Sequence, residues 1–181
     1  MTAAPAPEFS RPEFSRIVKL DQLGKAGATQ AVSPTDAERA ALARRFGLLT
    51  LDRMEADYAL TEEDGALMAR GRLRAALSQP CVATGEPVPE TIDTPFAIRF
   101  IPESAEPASD EIEVDGEDYD TVIYTGESIN VGEAIAETLA LALEPYPRSP
   151  NADAFLKDVG VLSEEQASPF AALLAMATKK K

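Results

Sequence analysis

The sequence contains no histidine and no tryptophan, one cysteine, and only 17 basic residues against 31 acidic ones. Without histidine the chain cannot form a histidine-dependent triad or a histidine metal site, and it lacks imidazole acid–base chemistry. One cysteine allows no internal disulfide, which fits a reducing compartment. The formal net charge of −14 repels nucleic acid at long range, so binding to RNA or DNA through bulk charge is disfavoured.

Long apolar runs are also absent. No segment approaches the roughly 18 apolar residues of a transmembrane helix, and the first residues lack the charged-then-apolar pattern of a signal peptide. The glycine-rich loops GxxxxGK[ST] and GxGxxG, which bind nucleotide phosphates, do not occur. We therefore expect a soluble, cytoplasmic protein that uses no cofactor and makes no membrane contact.

The remaining composition suits a globular protein. An apolar content of 45% is enough for a core, and 181 residues fit one domain with modest tails. We predict a disordered tail over residues 1–13, a single α+β domain over residues 14–170, and a C-terminal tail over residues 171–181. Separate helices and alternating strands favour an antiparallel sheet, which could close into a barrel, with two or three packed helices.

The clearest helix signal follows Ser128. Asn130 is a good N-cap, and Glu133 stands three residues on, at the position that completes a capping box. Pro145 ends the helix, because proline cannot continue it. Apolar residues at four-residue spacing predict a side that faces the core: Val131, Ile135, Leu139 and Leu143.

Other elements are signalled nearer the N-terminus. Thr35 and Glu38 predict a second capped helix that ends at Gly47. Residues 14–20 and 48–60 indicate strands, although the alternation in the first of them is imperfect.

Two extended stretches flank residues 84–85 and share a period of two. In residues 67–77, leucine, alanine and glycine occupy one face and arginine recurs on the other, and residues 96–101 alternate similarly. Pairing Arg70 with Arg99 gathers the large apolar residues on one face, whereas a slip by one residue would bury arginines among phenylalanines. We therefore predict a hairpin with one apolar face and one face that carries Arg70, Arg72, Arg74 and Arg99.

This arginine face has two interpretations. Arginines two residues apart along a strand stand about 7 Å apart, close to the phosphate spacing of an RNA strand. Alternatively, they pair with carboxylates of a neighbouring strand, which the overall charge favours. A second candidate surface for RNA or a partner is the polar exit of the Ser128 helix, with Tyr146, Arg148 and Asn151.

The acidic charge is concentrated in one loop. Residues 103–120 hold nine acidic residues and no basic one, and residues 103–181 carry a net charge of −12. A calcium loop that begins at Glu111 would place Val122 where a bidentate glutamate is needed, so we predict no metal site. A solvated loop and a surface that holds a basic protein both remain open. The binding residues would be Asp110, Glu111, Glu113, Asp115, Glu117 and Asp118.

Two motifs resemble a known family. Residues 81–88 read CVATGEPV and are followed by PFAIRF, while residues 128–153 read SINVGEAIAETLALALEPYPRSPNAD. Together they resemble the YceD family, the large ribosomal RNA subunit accumulation proteins, over roughly residues 48–170. Many members carry C-x-x-C-L-E-P at the first motif, and here Thr84 stands where they have the second cysteine. Without a histidine partner, Cys81 is expected to be apolar filler at the mouth of the hairpin.

The resemblance implies a non-enzymatic, bacterial-type ribosome biogenesis factor that supports accumulation of the 23S RNA of the large subunit. The expected partners are a large-subunit ribosomal protein or assembly factor and, secondarily, precursor 23S ribosomal RNA. An acidic chaperone or adaptor for a basic protein unrelated to ribosomal RNA is the alternative. A more remote alternative is a ribonuclease whose metal is held by carboxylates such as Asp118 and Asp120. The main hypothesis assigns no catalytic residue.

Overall fold

A computed structural model describes residues 12–22, 28–103 and 119–161. In these residues, seven strands and three α-helices are separated by turns and one short 3-10 segment. The strands are β1 Ile17–Lys19, β2 Gln30–Val32, β3 Thr50–Glu63, β4 Ala66–Pro80, β5 Pro87–Pro102, β6 Asp120–Tyr124 and β7 Ser128–Asn130. The helices are α1 Asp36–Arg45, α2 Val131–Ala142 and α3 Ala152–Asp158. The described residues fall into two compact units. The larger takes in those up to residue 79 and those between residues 89 and 144, and the smaller takes in residues 80–88 and 145–161.

The larger unit is built on a five-stranded sheet in the order β2-β3-β4-β5-β6. β2 pairs with β3 and β3 with β4 in antiparallel fashion, whereas β6 is parallel to β5. A separate antiparallel pair joins β1 to β7. The predicted α+β class is confirmed, and within the described ranges the sheet stays open instead of closing into a barrel.

Turn chemistry explains the two long hairpins. Asp64 and Gly65 both have positive φ, 50° and 76°, which is the geometry of a tight two-residue connection between β3 and β4. Residues 81–86 join β4 to β5, with Gly85 at φ 73°. The predicted hairpin around residues 84–85 is therefore present, and its Arg70–Arg99 register stays a prediction.

One face of the sheet carries the core of the larger unit. The predicted apolar parity is observed, since Leu73, Leu77 and Ile98 are buried. Helices α1 and α2 supply the other half, and the predicted stripe of α2 contributes three fully buried side chains. The largest fully buried side chains are Phe14, Leu42, Leu73, Ile98, Phe100, Ile129, Val131, Ile135 and Leu139.

Arg16 joins three parts of this unit. Its guanidinium donates to both carboxylate oxygens of Glu38 at 2.8 and 2.9 Å, and Glu38 completes the predicted capping box with Thr35 at the start of α1. Its backbone N–H donates to Asn130 Oδ1 at 2.9 Å, and its carbonyl accepts from Val131 N at 3.0 Å. The N-termini of both long helices are therefore tied to the same residue.

The Arg16–Glu38 pair has a pH consequence. Hydrogen bonds from Arg16 lower the pKa of Glu38 to about 2, partial burial opposes that shift, and the bonds from Thr35 add to it. Because the folded pKa lies below the ordinary value of 4.5, the pair contributes its stability fully above that value. The contribution is lost as the pH falls through about 2.

At the start of α2 the prediction is half right. Asn130 caps the helix, because its Oδ1 accepts from Glu133 N at 3.3 Å. The carboxylate of Glu133 does not complete a capping box there and instead forms an ion pair with Arg45 of α1 at 2.7 Å. Glu133 therefore pairs with Arg45, which is distant in sequence, and not with the backbone N–H of Asn130 as the motif suggested.

The smaller unit contains the turn between β4 and β5 and the segment after α2. The backbone N–H of Val82 donates to Pro147 O at 2.9 Å, which ties the two segments together. Helix α3 follows and is a feature that the sequence reading did not predict, because it described residues 145–153 only as a polar helix exit. The predicted single domain over residues 14–170 stays a prediction, and the predicted C-terminal tail over residues 171–181 lies outside the described residues.

Candidate functional site

The arginine face of the sheet is the first candidate surface. Arg70, Arg72 and Arg74 lie on the face of β4 opposite the core, with between 39% and 48% of each side chain exposed. The corresponding face of β3 carries Glu55 and Asp57, which lie directly across from Arg74 and Arg72. Cross-strand neighbours of opposite charge stabilise a sheet pair, and here both strands supply them in register.

Each of the three arginines has an acidic partner. Arg70 forms an ion pair with Glu63 at 2.5 Å, and its guanidinium stands 5.8 Å from the ring centre of Tyr119. Arg72 binds Asp93 of β5 at 2.5 Å. Arg74 contacts several carboxylates, which are Asp57 at 2.9 Å, Asp93 at 3.7 Å and Glu55 at 3.9 Å.

In the free chain, this arrangement favours the interpretation in which the arginine face pairs with carboxylates of neighbouring strands. The arginines form a ladder of ion pairs and do not present a bare positive strip. An RNA phosphate would have to compete with carboxylates that already bind the guanidinium groups, which lowers the net gain from each contact. Hydrogen bonding from Arg70 lowers the pKa of Glu63, and from Arg72 that of Asp93, so both stay ionised at neutral pH.

Arg99 differs from the other arginines of this face. It lies on β5 opposite Thr121 of β6 and is half-buried. Among the described residues it forms no ion pair. It is therefore the cation of this surface that a phosphate could reach without displacing a carboxylate.

A groove at the sheet edge is the second candidate surface, and it lies wholly within the larger unit. It has a volume of about 390 Å³. Its three walls come from β5, from the start of β6 and from the last turns of α2. The lining residues are Thr94, Pro95, Phe96, Ala97, Tyr119, Asp120, Thr138, Leu141 and Ala142.

The groove exists because β6 is short. β6 pairs with β5 only from Ile98 to Pro102, so the preceding residues of β5 have no strand beside them on that side in the described part of the chain. Leu141 projects from α2 with 74% of its surface exposed, the same exposure as Tyr146 and the highest among the large apolar residues described. An isolated exposed leucine is ordinary, but this one borders a concave, partly apolar surface.

Acidic side chains accompany the groove. Burial raises the pKa of Glu137, and the negative charges of Glu133 and Asp120 raise it further, while Arg45 opposes them. Glu133 already binds Arg45. Neither Glu137 nor Asp120 forms an ion pair with any described residue, and Arg45 offsets only part of the negative charge around Glu137.

The polar exit of α2 lies in the smaller unit. Arg148 forms an ion pair with Asp153 at 2.8 Å, and Asn151 Nδ2 donates to Glu86 Oε1 at 3.4 Å. Tyr146 is 74% exposed. Two of the three predicted residues of this segment, Arg148 and Asn151, therefore make contacts within the smaller unit.

Cys81 also belongs to the smaller unit and is buried, as predicted. Its sulfur accepts a hydrogen bond from Ser149 N at 3.2 Å, and Ser149 Oγ lies 3.3 Å from Thr84 Oγ1. Burial would raise the pKa of this thiol, but hydrogen bonds from Ser149, Thr84 and Ala83 outweigh it and lower the pKa to about 6. The thiol therefore accepts hydrogen bonds in addition to filling space, a role that the sequence reading did not foresee.

The predicted acidic loop is mostly outside the described residues, which resume at Tyr119. All six of its candidate residues, from Asp110 to Asp118, lie outside the described residues. In the described ranges, no group of three or more cysteine or carboxylate side chains is arranged to hold a metal ion. Asp120, the remaining member of the proposed metal pair, is exposed at the first position of β6.

The sequence reading missed the groove. The sequence indicated it only through the acidic residues on one side of α2 and through Leu141, an apolar residue that does not belong to the buried stripe of this helix. Nothing in the sequence showed that β5 extends beyond its partner strand. None of the three described helices has the length and apolar content needed to cross a lipid bilayer.

Comparison with known proteins gives one match. The family model described as "Large ribosomal RNA subunit accumulation protein YceD" matches residues 69–177, which is more than half of the chain. The matched range contains most of β4, the turn with Cys81, the groove and the segment after α2. Neither a curated protein nor a solved structure matches this chain.

Proposed function

Since the chain belongs to the YceD family of large ribosomal RNA subunit accumulation proteins, we propose that it is a non-enzymatic ribosome biogenesis factor. It supports accumulation of large-subunit ribosomal RNA by binding a large-subunit ribosomal protein or assembly protein. Contact with precursor ribosomal RNA is secondary. The observation that carries this choice of mechanism is the paired state of Arg70, Arg72 and Arg74.

Charge supports a protein partner as the main source of affinity. Ribosomal proteins that bind RNA are basic, because they neutralise phosphates. This chain has a net charge of −14, of which −12 lies after residue 102. Opposite net charges speed the encounter with a basic protein and slow the encounter with free RNA.

Affinity purification of the tagged protein from growing cells, with and without RNase, tests this proposal. We expect large-subunit ribosomal or assembly proteins to remain bound after RNase treatment, because the main contacts are to protein. A tagged acidic protein of similar size controls for nonspecific capture of basic proteins. Complete loss of the bound proteins on RNase treatment would overturn the protein-binding mechanism.

The secondary RNA contact is tested at Arg99. We expect Arg99→Glu to lower the RNase-sensitive fraction of the association by about tenfold, because the variant replaces a phosphate-accessible cation without breaking an ion pair. Arg44→Glu on the exposed surface of α1 makes the same charge change away from this face and serves as the matched control. Crosslinking of the purified variants to precursor large-subunit RNA measures the effect.

The remaining arginines give a second arm of the same test. Combined Arg70→Glu, Arg72→Glu and Arg74→Glu also breaks the ladder of ion pairs, so its thermal unfolding must be compared with that of the parent protein. If both the triple variant and Arg99→Glu join precursor large-subunit particles as the parent does, the arginine face has no role in RNA contact.

The alternative of an acidic adaptor for a basic protein unrelated to ribosomal RNA shares the same binding chemistry. It differs in the identity of the proteins that remain after RNase. The ribonuclease alternative requires metal-dependent cleavage of RNA that disappears in an Asp120→Asn variant.

A further inference from the structure

The groove beside β6 combines a concave surface, an exposed apolar side chain and carboxylates that form no ion pair among the described residues. We propose that it binds an extended, basic segment of the protein partner, with one apolar side chain of that segment seated against Phe96 and Leu141 and a neighbouring lysine or arginine placed at Asp120 and Glu137. This inference rests on the proposed function and names the surface through which it would act.

The shape of the groove favours an extended occupant. Its floor is β5, and residues 94–97 of that strand have no neighbouring strand on the β6 side within the described ranges. Peptides commonly add to such an open strand edge, using main-chain hydrogen bonds for affinity and side-chain pockets for specificity. Pro95 has no N–H to donate, which limits indiscriminate strand pairing along this stretch of β5.

The apolar component comes from two residues that differ in burial. Phe96 is 8% exposed and forms part of the floor, whereas Leu141 stands 74% exposed on the last turn of α2. A volume of about 390 Å³ accommodates one large apolar side chain together with the backbone that carries it. Covering Leu141 would remove its exposed apolar surface from water, which contributes favourable free energy to binding.

The charge component selects the sign of the occupant. Asp120 lines the groove, and Glu137 lies one helical turn before Leu141, which also lines it, so carboxylates stand at or beside the walls that come from β6 and α2. Neither forms an ion pair among the described residues, and the negative charge of Asp120 helps to raise the pKa of Glu137. A lysine or arginine placed between them would relieve that repulsion.

A designed probe tests the groove without knowledge of the natural partner. The full chain, labelled with nitrogen-15, is titrated with the synthetic peptide Lys-Val-Lys-Leu-Lys-Val-Lys. We expect amide shifts confined to residues 94, 96–97, 119–120 and 138–142 of the groove. Shifts elsewhere, or equal shifts with the peptide Glu-Val-Glu-Leu-Glu-Val-Glu, would overturn the proposal.

Two substitutions separate the apolar and charge components. Leu141→Ser should weaken binding of the basic peptide by about tenfold, as expected for an anchor residue, while the equally apolar control Leu49→Ser, at a site 47% exposed, should not. Glu137→Gln should weaken it by about threefold at low salt and leave it unchanged at high salt, because salt screens surface charges. Glu62→Gln on exposed β3 is the charge-matched control.

Both sites are on the surface, so the variants are expected to fold, and thermal unfolding checks this. If Leu141→Ser instead changes the oligomeric state of the protein in the absence of peptide, the groove is an interface between two copies and the proposal is wrong. In cells, the combined Leu141→Ser and Glu137→Gln variant should lose the RNase-resistant partner. If the variant retrieves that partner as well as the parent chain does, the groove is not the binding surface, whereas the proposed function stands. If the parent retrieves no large-subunit component, the proposed function fails, whereas the peptide footprint still stands or falls by itself.

Discussion

Replacing Gly71 with alanine should cost the protein about 3 kcal/mol or more of unfolding free energy and lower its midpoint temperature by about 10 °C. Gly71 lies in β4 directly opposite Tyr58 of β3. A methyl group at this position would stand 2.2 Å from the carbonyl oxygen of Asp57, 2.8 Å from Tyr58 Cβ and 2.8 Å from Phe96 Cζ. Thermal and urea unfolding of the purified variant measures the loss.

The identity of the closest atom makes this prediction specific. Because Asp57 O belongs to the backbone, the strand pair itself must shift to admit the methyl group. Trimming the aromatic neighbour by Phe96→Leu in the Gly71→Ala background should therefore restore little stability. Full recovery in that double variant would show that only side-chain crowding was involved and would contradict the argument.

Replacing Phe100 with alanine should lower the unfolding free energy by about 4 kcal/mol. Phe100 is 1% exposed and lies on the core face of β5, paired with Val122 of β6. The substitution removes a large apolar side chain and leaves a cavity, because α2 and the neighbouring strands are held by many other contacts and cannot collapse onto it. Chemical denaturation of the variant gives the magnitude.

A matched control lies on the next strand. Ile123 of β6 is 51% exposed on the opposite face of the sheet, so Ile123→Ala removes an apolar side chain without creating a cavity. We expect it to cost less than about 1 kcal/mol. Equal losses for the two variants would mean that the two faces of β5 and β6 are not distinguished as burial indicates.

Much of the local structure was predictable from short stretches of sequence. Thr35 and Glu38 specified the start of α1, and Gly47, with φ 67°, followed its end. The four-residue stripe of α2 identified its buried side, and the two-residue period of β4 identified which face would carry arginine. Each of these features depends on neighbours within about four residues, where backbone hydrogen bonding and side-chain period act directly.

The candidate site was predictable only as an inventory of residues. The arginines of β4 were found from their spacing, but their partners Asp57 and Asp93 belong to two other strands. The pairing state of a surface cation depends on register between strands, which the pattern of one strand does not contain. For the same reason Glu133 pairs with Arg45 of α1, although the local motif had suggested its own helix terminus.

By itself, the sequence determined the α+β class, the helix caps, the faces of the long hairpin and, through its motifs, the family of the chain. Only the tertiary structure decided that β6 lies parallel to β5 and ends short of residues 94–97, which opens the groove. It also decided that Arg70, Arg72 and Arg74 are paired with neighbouring carboxylates, whereas Arg99 of the same face forms no ion pair among the described residues. The physical reason is distance along the chain, because periodicity and capping act between near neighbours, while strand order and ion pairing join residues that only the folded chain brings together.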